Sequence, residues 1–330
     1  MIKEHETFKI IDSSKIEEYI TCPRKYFYRY ILGWRPDTTD THLHFGTCWH
    51  LAMEYLLTHG YDYQSVIEAY SLFEETYRQE FSEVTDSERF PKTPAVALKA
   101  LAAYASSWAG NDAGFKVLHT EIAGSVSVSK GRNVHFKMDS ILQDEDAKFF
   151  SLEHKTGSTN NRQWSDKWKL SIQVGTYSHV LYCLYPQNDV WGVRINGTFF
   201  RKGRGGAGDV ELLRVPIRKT PESMEDWLQT VEYWLDKLEE DMNKLQSCSN
   251  KYTVMPAFAK NPSSCTQYFG CQYIDFCIAC ANPLIYAHEV PLGFRVEYWN
   301  PHDAELTAKK IVHVYQAVFI NKQREDTRWL

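Results

Sequence analysis

The stretch at residues 134–157, VHFKMDSILQDEDAKFFSLEHKTG, most constrains what this chain can become. It reads as two short strands joined by a polar turn and carries three spaced charges. Phe149, Ser151, Glu153 and Lys155 alternate with Phe150, Leu152 and His154. The strand's period of two therefore puts Glu153 and Lys155 on one face. Asp139 lies near the end of the preceding strand, and the turn at 143–147 is rich enough in Asp and Glu to stay in water. Such a hairpin brings Asp139 beside Glu153. Two carboxylates facing one point suit a hard divalent cation such as Mg²⁺ or Mn²⁺, and a neighbouring lysine can position a water or steady a developing phosphate charge. A Glu-x-Lys pair alone is equally the pattern of a solvated strand face, so the rest of the chain has to decide.

With 330 residues, 43% hydrophobic and 14% aromatic, the chain can bury a sizeable core in one large or two ordinary domains. Its best apolar run, at 95–109, is broken by Lys99, Ser106 and Ser107, and the first ten residues lack the apolar core of a signal peptide. A cytoplasmic protein with no membrane partner is expected. Eight cysteines are too few for a disulfide scaffold in a chain of this size, and the crowding of four of them between 265 and 280 favours metal binding. A net charge of −5 argues against a generally basic nucleic-acid coat but leaves room for a locally basic groove.

Along the chain, Ser13 and Ser14 can cap a first helix that ends near Thr21, and Pro23 suits the first turn of a second. That second helix interleaves Arg24, Lys25 and Arg29 with Tyr26, Phe27, Tyr28 and Tyr30, a pattern that either grips phosphates and bases or simply packs. Helices follow at 42–58, where Phe45, Trp49, Ala52, Met53 and Leu56 form an apolar stripe with His50 beside it, and then at 63–81 and 94–108, before a break at Gly110–Gly114. Strands are expected at 117–129, 134–142 and 147–155, with residues 130–133 turning between the first two. Glu121 falls on the first strand, as a further carboxylate of the site or an exposed strand residue. A helix at 170–185 places Gln173 and Tyr177 on one face. Strands at 190–200 and 210–215 flank the loop RKGRGGAG, whose Arg201, Lys202 and Arg204 either reach a phosphate backbone or tip a solvated hairpin. A long helix covers 222–247. Cys265, Cys271, Cys277 and Cys280 have five, five and two residues between them, a density of thiolates that suits zinc or an iron–sulfur cluster.

Taken in order, Cys22-Pro23, His50, Asp139, Glu153-x-Lys155, Gln173-x₃-Tyr177 and the late cysteines resemble the PD-(D/E)XK nuclease superfamily. The likeness is to its RecB-like branch with an iron–sulfur cluster, which includes CRISPR-associated RecB-like exonucleases, AddB-type nuclease domains and phage proteins. The resemblance spans residues 13–280. It implies an α/β, restriction-endonuclease-like fold: a mixed central sheet flanked by helices, with a helical N-terminal part and a cysteine-rich iron–sulfur region. It implies that His50, Asp139 and Glu153, with the His154 carbonyl, hold Mg²⁺ or Mn²⁺, that Lys155 assists the attacking water, and that Gln173 and Tyr177 position DNA and the site. It further implies a [4Fe–4S] cluster on Cys22, Cys265, Cys271 and Cys277, with structural Zn²⁺ as the alternative. The commonest late pattern of the family is C-x₂-C-x₅-C, whereas this chain has C-x₅-C-x₅-C followed by Cys280, which is therefore the rival for the fourth ligand position.

The expected organisation is a helical part at 1–115, a nuclease core at 116–250, a cysteine region at 251–282 that closes back on Cys22, and an extension at 283–330 outside the resemblance, with a helix at 303–321. The expected activity is metal-dependent hydrolysis of DNA, single-stranded or end-containing duplex, in processing, recombination or repair, with a homo-oligomer or a recombination protein as possible company. The competing readings are a cysteine-metal DNA-binding module without catalysis and an interaction partner of a nuclease complex. The intact acid, acid and lysine set favours the enzyme.

Overall fold

Three neighbouring residues could cap the first helix, and Asp12 does so: its carboxylate accepts the Lys15 N–H at 2.8 Å, and α1 runs Ser13–Thr21. Ser13 and Ser14, expected to cap, are its first helical residues. Pro23 opens the following turn, Pro23–Tyr26, which continues as a π-helical turn, Phe27–Ile31. Tyr26, Phe27, Tyr28 and Tyr30 are at most 3% exposed, so they pack the core and offer no surface for base stacking. The basic residues among them are also engaged. Arg24 Nε donates to the Phe258 carbonyl at 2.9 Å, and Lys25 and Arg29 both face Glu18. The computed structural model describes residues 2–129, 131–267 and 270–315.

Asp40 caps α2, Thr41–His59, by accepting from the His42 and Leu43 N–H groups. The expected stripe of Phe45, Trp49, Ala52, Met53 and Leu56 is fully buried against α3, Tyr63–Arg78, and α4, Pro94–Asp112. The helix runs four residues past its expected end at 108 and stops inside the expected Gly110–Gly114 break. A glycine inside a helix costs only about 1 kcal/mol relative to alanine, and here the last helical residue, Asp112, is anchored by Arg214 at 2.6 and 2.9 Å and by the Tyr61 hydroxyl at 3.1 Å.

The strands are β1, Lys116–Ser129, β2, Arg132–Gln143, and β3, Phe149–Gly157, followed by a crossover through a short helix, Arg162–Lys167, and α5, Ile172–Leu184. Then come β4, Val190–Lys202, β5, Gly208–Ile217, the long α6, Pro221–Ser247, and finally β6, Lys310–Val314. They form one six-stranded sheet in the order β5-β4-β3-β2-β1-β6. The β3/β4 and β1/β6 pairs are parallel and the other three antiparallel. Because β3 and β4 are parallel, the chain must cross over between them, and the crossover lays Val174, Tyr177, Val180 and Leu181 of α5 on Val193 and Ile195 of β4. On the opposite face, Phe200 of β4 joins the α2–α4 core. This is the restriction-endonuclease-like arrangement. Among the described residues no helix is long and apolar enough to cross a membrane.

The end of the described chain departs from expectation. Of the helix expected at 303–321, the described part, 303–315, is helical over Asp303–Leu306, and Lys310–Val314 becomes the edge strand β6. The part beyond residue 315, like Lys130 in the β1–β2 turn, lies outside the described residues. The free edge of β1 decides the matter, since pairing there satisfies a row of backbone groups while Val312 and Val314 pack on the sheet core. Gly124 makes the approach possible. It sits at φ +152° opposite Val312, and a Cβ built there would overlap the Val312 carbonyl. Gly124→Ala is expected to lower the unfolding free energy by about 1–3 kcal/mol, measured by urea denaturation. An unchanged midpoint and slope would show that β6 does not depend on this close approach.

Candidate active site

The β2–β3 ladder holds for three pairs only, Gln143 with Phe149, Leu142 with Phe150 and Ile141 with Ser151. Beyond them the strands part, and side chains take over the bonds that the backbone gives up. Ser140 Oγ donates to the Leu152 carbonyl at 2.9 Å, and the Asp139 carboxylate accepts the His154 N–H at 2.7 Å. The fork opens a cleft of about 340 Å³. Glu121, Asp139, Glu153, Lys155, Gln173 and Tyr177 line it, and His50 closes it from α2. Strand alternation points the His154 ring the other way, toward Tyr104 of α4, with ring centroids 5.8 Å apart. Neither of its ring nitrogens has a partner, and burial pushes its pKa down to about 3, so the imidazole is neutral. His154 thus faces the cleft through its backbone alone.

Four ionisable groups meet in the fork. His50 Nδ1 lies 2.9 Å from Asp139 Oδ1, Lys155 Nζ lies 2.8 Å from Glu153 Oε1, and Glu153 Oε2 is 3.4 Å from the Asp139 backbone nitrogen. Burial opposes charge on all four. For Asp139 the charge and hydrogen bond of His50 overcome it and hold the carboxyl at about 2, well inside the ionised range at neutral pH. For Glu153, burial and the Asp139 charge together raise the pKa. His50 and Lys155 are both raised, since the neighbouring carboxylates outweigh their desolvation. Asp139 holds its charge here because His50 stands beside it. The Asp139 and Glu153 carboxylates and an imidazole around one cleft are hard-to-intermediate donors, and this donor set fits Mg²⁺ or Mn²⁺.

Supporting residues fix the geometry. Gln173 Nε2 donates to the Tyr177 hydroxyl at 2.9 Å, and that hydroxyl donates to the Lys137 carbonyl, so the α5 pair braces β2 two residues before Asp139. Glu121 pairs with Lys137 Nζ at 2.8 Å, and burial raises its carboxyl. Its φ of +46° is rare for a residue with a side chain and marks strain beside the cleft. Trp168 and Lys167 received no functional weight from sequence patterns. Yet the Lys155 ammonium sits 5.5 Å over the Trp168 ring and Lys167 sits 4.3 Å over it. The signal available was the aromatic-basic run RQWSDKWK just after the Glu-x-Lys strand. In the glycine loop, Arg201 pairs with Glu211, Lys202 lies 5.9 Å over the Phe90 ring, and Arg204 is exposed.

The cysteines gather at the far end of α1. Cys22 Sγ accepts the Asn261 N–H at 3.4 Å, and Cys265 Sγ lies 3.8 Å from the Asn261 carbonyl. Burial raises the Cys271 thiol, which also feels Cys22 and Cys265, and burial likewise raises Cys277, which feels Cys22. Lys25 beside Cys271, and Arg24 and Lys260 beside Cys277, work in the opposite direction and favour thiolate. Cys280 is turned to the Asn282 carbonyl at 3.1 Å. No disulfide joins any of them.

No curated protein matches the chain in sequence. Among solved structures, a presumptive exonuclease from Eubacterium rectale aligns over 70% of this chain and 80% of its own, with a TM-score of 0.40 and 12% identity. The protein SSO0001 aligns over 71% and 77%, with a TM-score of 0.29 and 10% identity. The profile of the PD-(D/E)XK nuclease superfamily matches residues 13–278, which takes in the Cys22 turn, the cleft and three of the four late cysteines. This chain belongs to the PD-(D/E)XK nuclease superfamily.

Proposed function

We propose that the protein is a metal-dependent deoxyribonuclease of the RecB-like branch, acting on DNA ends in processing, recombination or repair. The observation that carries this is the fork itself, where Asp139, Glu153 and Lys155 converge in a cleft walled by His50, Gln173 and Tyr177. Asp139, Glu153 and His50 would hold the ion, with the His154 carbonyl beside them. Bound Mg²⁺ or Mn²⁺ supplies a Lewis acid for the scissile phosphate and lowers the pKa of a coordinated water. Lys155 then has two tasks within reach of one ammonium: keeping the water oriented for in-line attack and offsetting charge that builds on the phosphate. Its position over Trp168 restricts where the ammonium can go. Gln173 and Tyr177 hold β2 at the spacing the two carboxylates need, while Lys167 and Trp168 offer a cation and a ring face at the mouth of the cleft.

The same proposal includes a [4Fe–4S] cluster on Cys22, Cys265, Cys271 and Cys277. It is supported by the approach of those four thiols, by the three cations that face two of them, and by the orientation of Cys280 toward a carbonyl. Such a cluster would close a loop of some 240 residues between Cys22 and the late cysteines. On a simple chain model that closure contributes about 5 kcal/mol, an upper value because native strain and residual denatured structure reduce it.

Glu153→Ala and Lys155→Ala are each expected to abolish cleavage of end-labelled single- and double-stranded DNA in Mg²⁺ or Mn²⁺ while DNA binding by gel shift persists. Phe150 and Leu152 still pack on the other face, so the fold survives. A Glu153→Ala protein that cuts as fast as wild type removes the assignment of the site. Anaerobically purified wild type should be brown and contain iron, and Cys22→Ser should lose both the iron and much of the thermal stability, with Cys280→Ser close to wild type. Stoichiometric zinc without iron would replace the cluster by a structural zinc, and a colourless Cys280→Ser would move the fourth ligand to that residue.

A further inference from the structure

Well away from the cleft, His135, His302 and Glu305 place one donor atom each within 4.8 Å of one another. His135 is on β2, alternating with buried Val134 and Phe136, and so shares a face with Asp139, four residues or roughly 13 Å along the strand. Across the sheet, Ser125 of β1 stands between His135 of β2 and His313 of β6, in register with both. The short helix Asp303–Leu306 lowers Glu305 onto this row, and His302 precedes it. Three histidines from three parts of the chain thus surround one carboxylate.

The separations carry the meaning. His135 Nδ1 is 3.8 Å and His302 Nδ1 3.5 Å from Glu305 Oε1, while His313 Nε2 is 3.7 Å from Glu305 Oε2. Two of these are too long for a hydrogen bond and the third is marginal. Donors on one tetrahedral zinc, at bonds of about 2.0–2.1 Å, stand about 3.4 Å apart. The His135 Nδ1 and Glu305 Oε1 atoms are buried and have no hydrogen-bond partner, an arrangement that is costly unless something fills it. Burial, helped by the neighbouring His302 and His313, lowers the His135 pKa to about 4, leaving its ring neutral with a lone pair to give. Ser125 Oγ lies 3.0 Å from His313 Nδ1, and a Nδ1–H donated to that oxygen turns the Nε2 lone pair toward Glu305. A second partner that fixes the tautomer is the usual companion of a ligating histidine.

We propose that His135, His302 and Glu305 form a second metal site, with His313 poised at the other Glu305 oxygen, for a borderline divalent transition ion such as Zn²⁺, separate from the cation of the cleft. The ion pins the segment at 302–314 to the sheet. That segment also forms part of the wall beside the cleft: the Lys309 N–H donates to the Glu121 carbonyl at 2.8 Å, Lys309 Nζ reaches Glu54 at 2.7 Å, and Thr307 Oγ1 takes a bond from Lys137 at 3.2 Å. The second site therefore acts as a clamp on the strand that carries Asp139.

The test loads chelator-treated full-length protein with Co²⁺ and with Zn²⁺. Co²⁺ on imidazole and carboxylate gives ligand-field bands without thiolate charge transfer, which separates this site from the cysteines. Wild type should show one such equivalent more than the His302→Ala/His313→Ala double variant, which keeps only the equivalent held by the cleft, its far-ultraviolet circular dichroism unchanged because both side chains are at least one-third exposed. Ser125→Ala should weaken binding roughly ten- to a hundred-fold, as loss of an outer hydrogen bond does. Zn²⁺ should slow tryptic cleavage at Lys309 and Lys310 in wild type and leave the double variant unaffected. Equal metal content and equal spectra in wild type and the double variant overturn the site, as does tryptic cleavage of wild type that ignores Zn²⁺.

Discussion

The whole site depends on one interaction, the acceptance of the His154 N–H by the Asp139 carboxylate. A hairpin that kept its ladder would seal β2 to β3 and leave no cleft. A hairpin that simply opened would strand backbone donors and acceptors in a buried place, at a cost of about 1–3 kcal/mol each. Here the Asp139 and Ser140 side chains take up the His154 N–H and the Leu152 carbonyl, so these two groups keep a partner where the strands part. The same carboxylate faces His50 with its other oxygen. One residue both opens the fork and charges it, which ties the position of the acid to the shape of the sheet.

A second tier keeps that fork in place. Tyr177, nearly buried, holds the Lys137 carbonyl, and Arg214 gathers Asn196, Tyr104 and Asp112 behind the His154 ring, with its guanidinium 4.0 Å over Trp108. Neither set touches the cleft's charged oxygens. Both limit how far β3 and β4 can move against the helices, and preorganised charge is worth most when its supports cannot yield.

Residues whose partners are local were the most legible. Glu153 and Lys155 follow from a period of two, Gln173 and Tyr177 from a spacing of four, and the stripe on α2 from 3.6-residue periodicity. His50 was legible only through the order of motifs, because a histidine beside an apolar stripe has no local mark of its partner 89 residues away. The capping of α1 by Asp12 was missed since three adjacent residues are all competent, and only backbone geometry selects one. The strand at Lys310–Val314 had a local signal in the β-branched Ile311, Val312 and Val314, while the partner that holds it, the free edge of β1, lies nearly 190 residues earlier and leaves no mark in the segment itself. The aromatics of the Pro23 turn show the converse. Their basic neighbours left open whether they grip phosphates and bases or simply pack, and burial of the rings selects packing.

The parallel edge strand also bears on the order in which the molecule can assemble. Lys309, the residue before β6, supplies the N–H that meets the Glu121 carbonyl, and the strand Trp34–Pro36 pairs with Phe294–Val296. Pairings of such long sequence separation form late, after the loop entropy between them has been overcome. During vectorial synthesis the carboxylates of the fork would therefore emerge and fold long before the wall at Glu121 and Lys137 is complete. The fork comes first and its enclosure last, a sequence of events that delays a finished cleft until almost all of the described chain has left the ribosome.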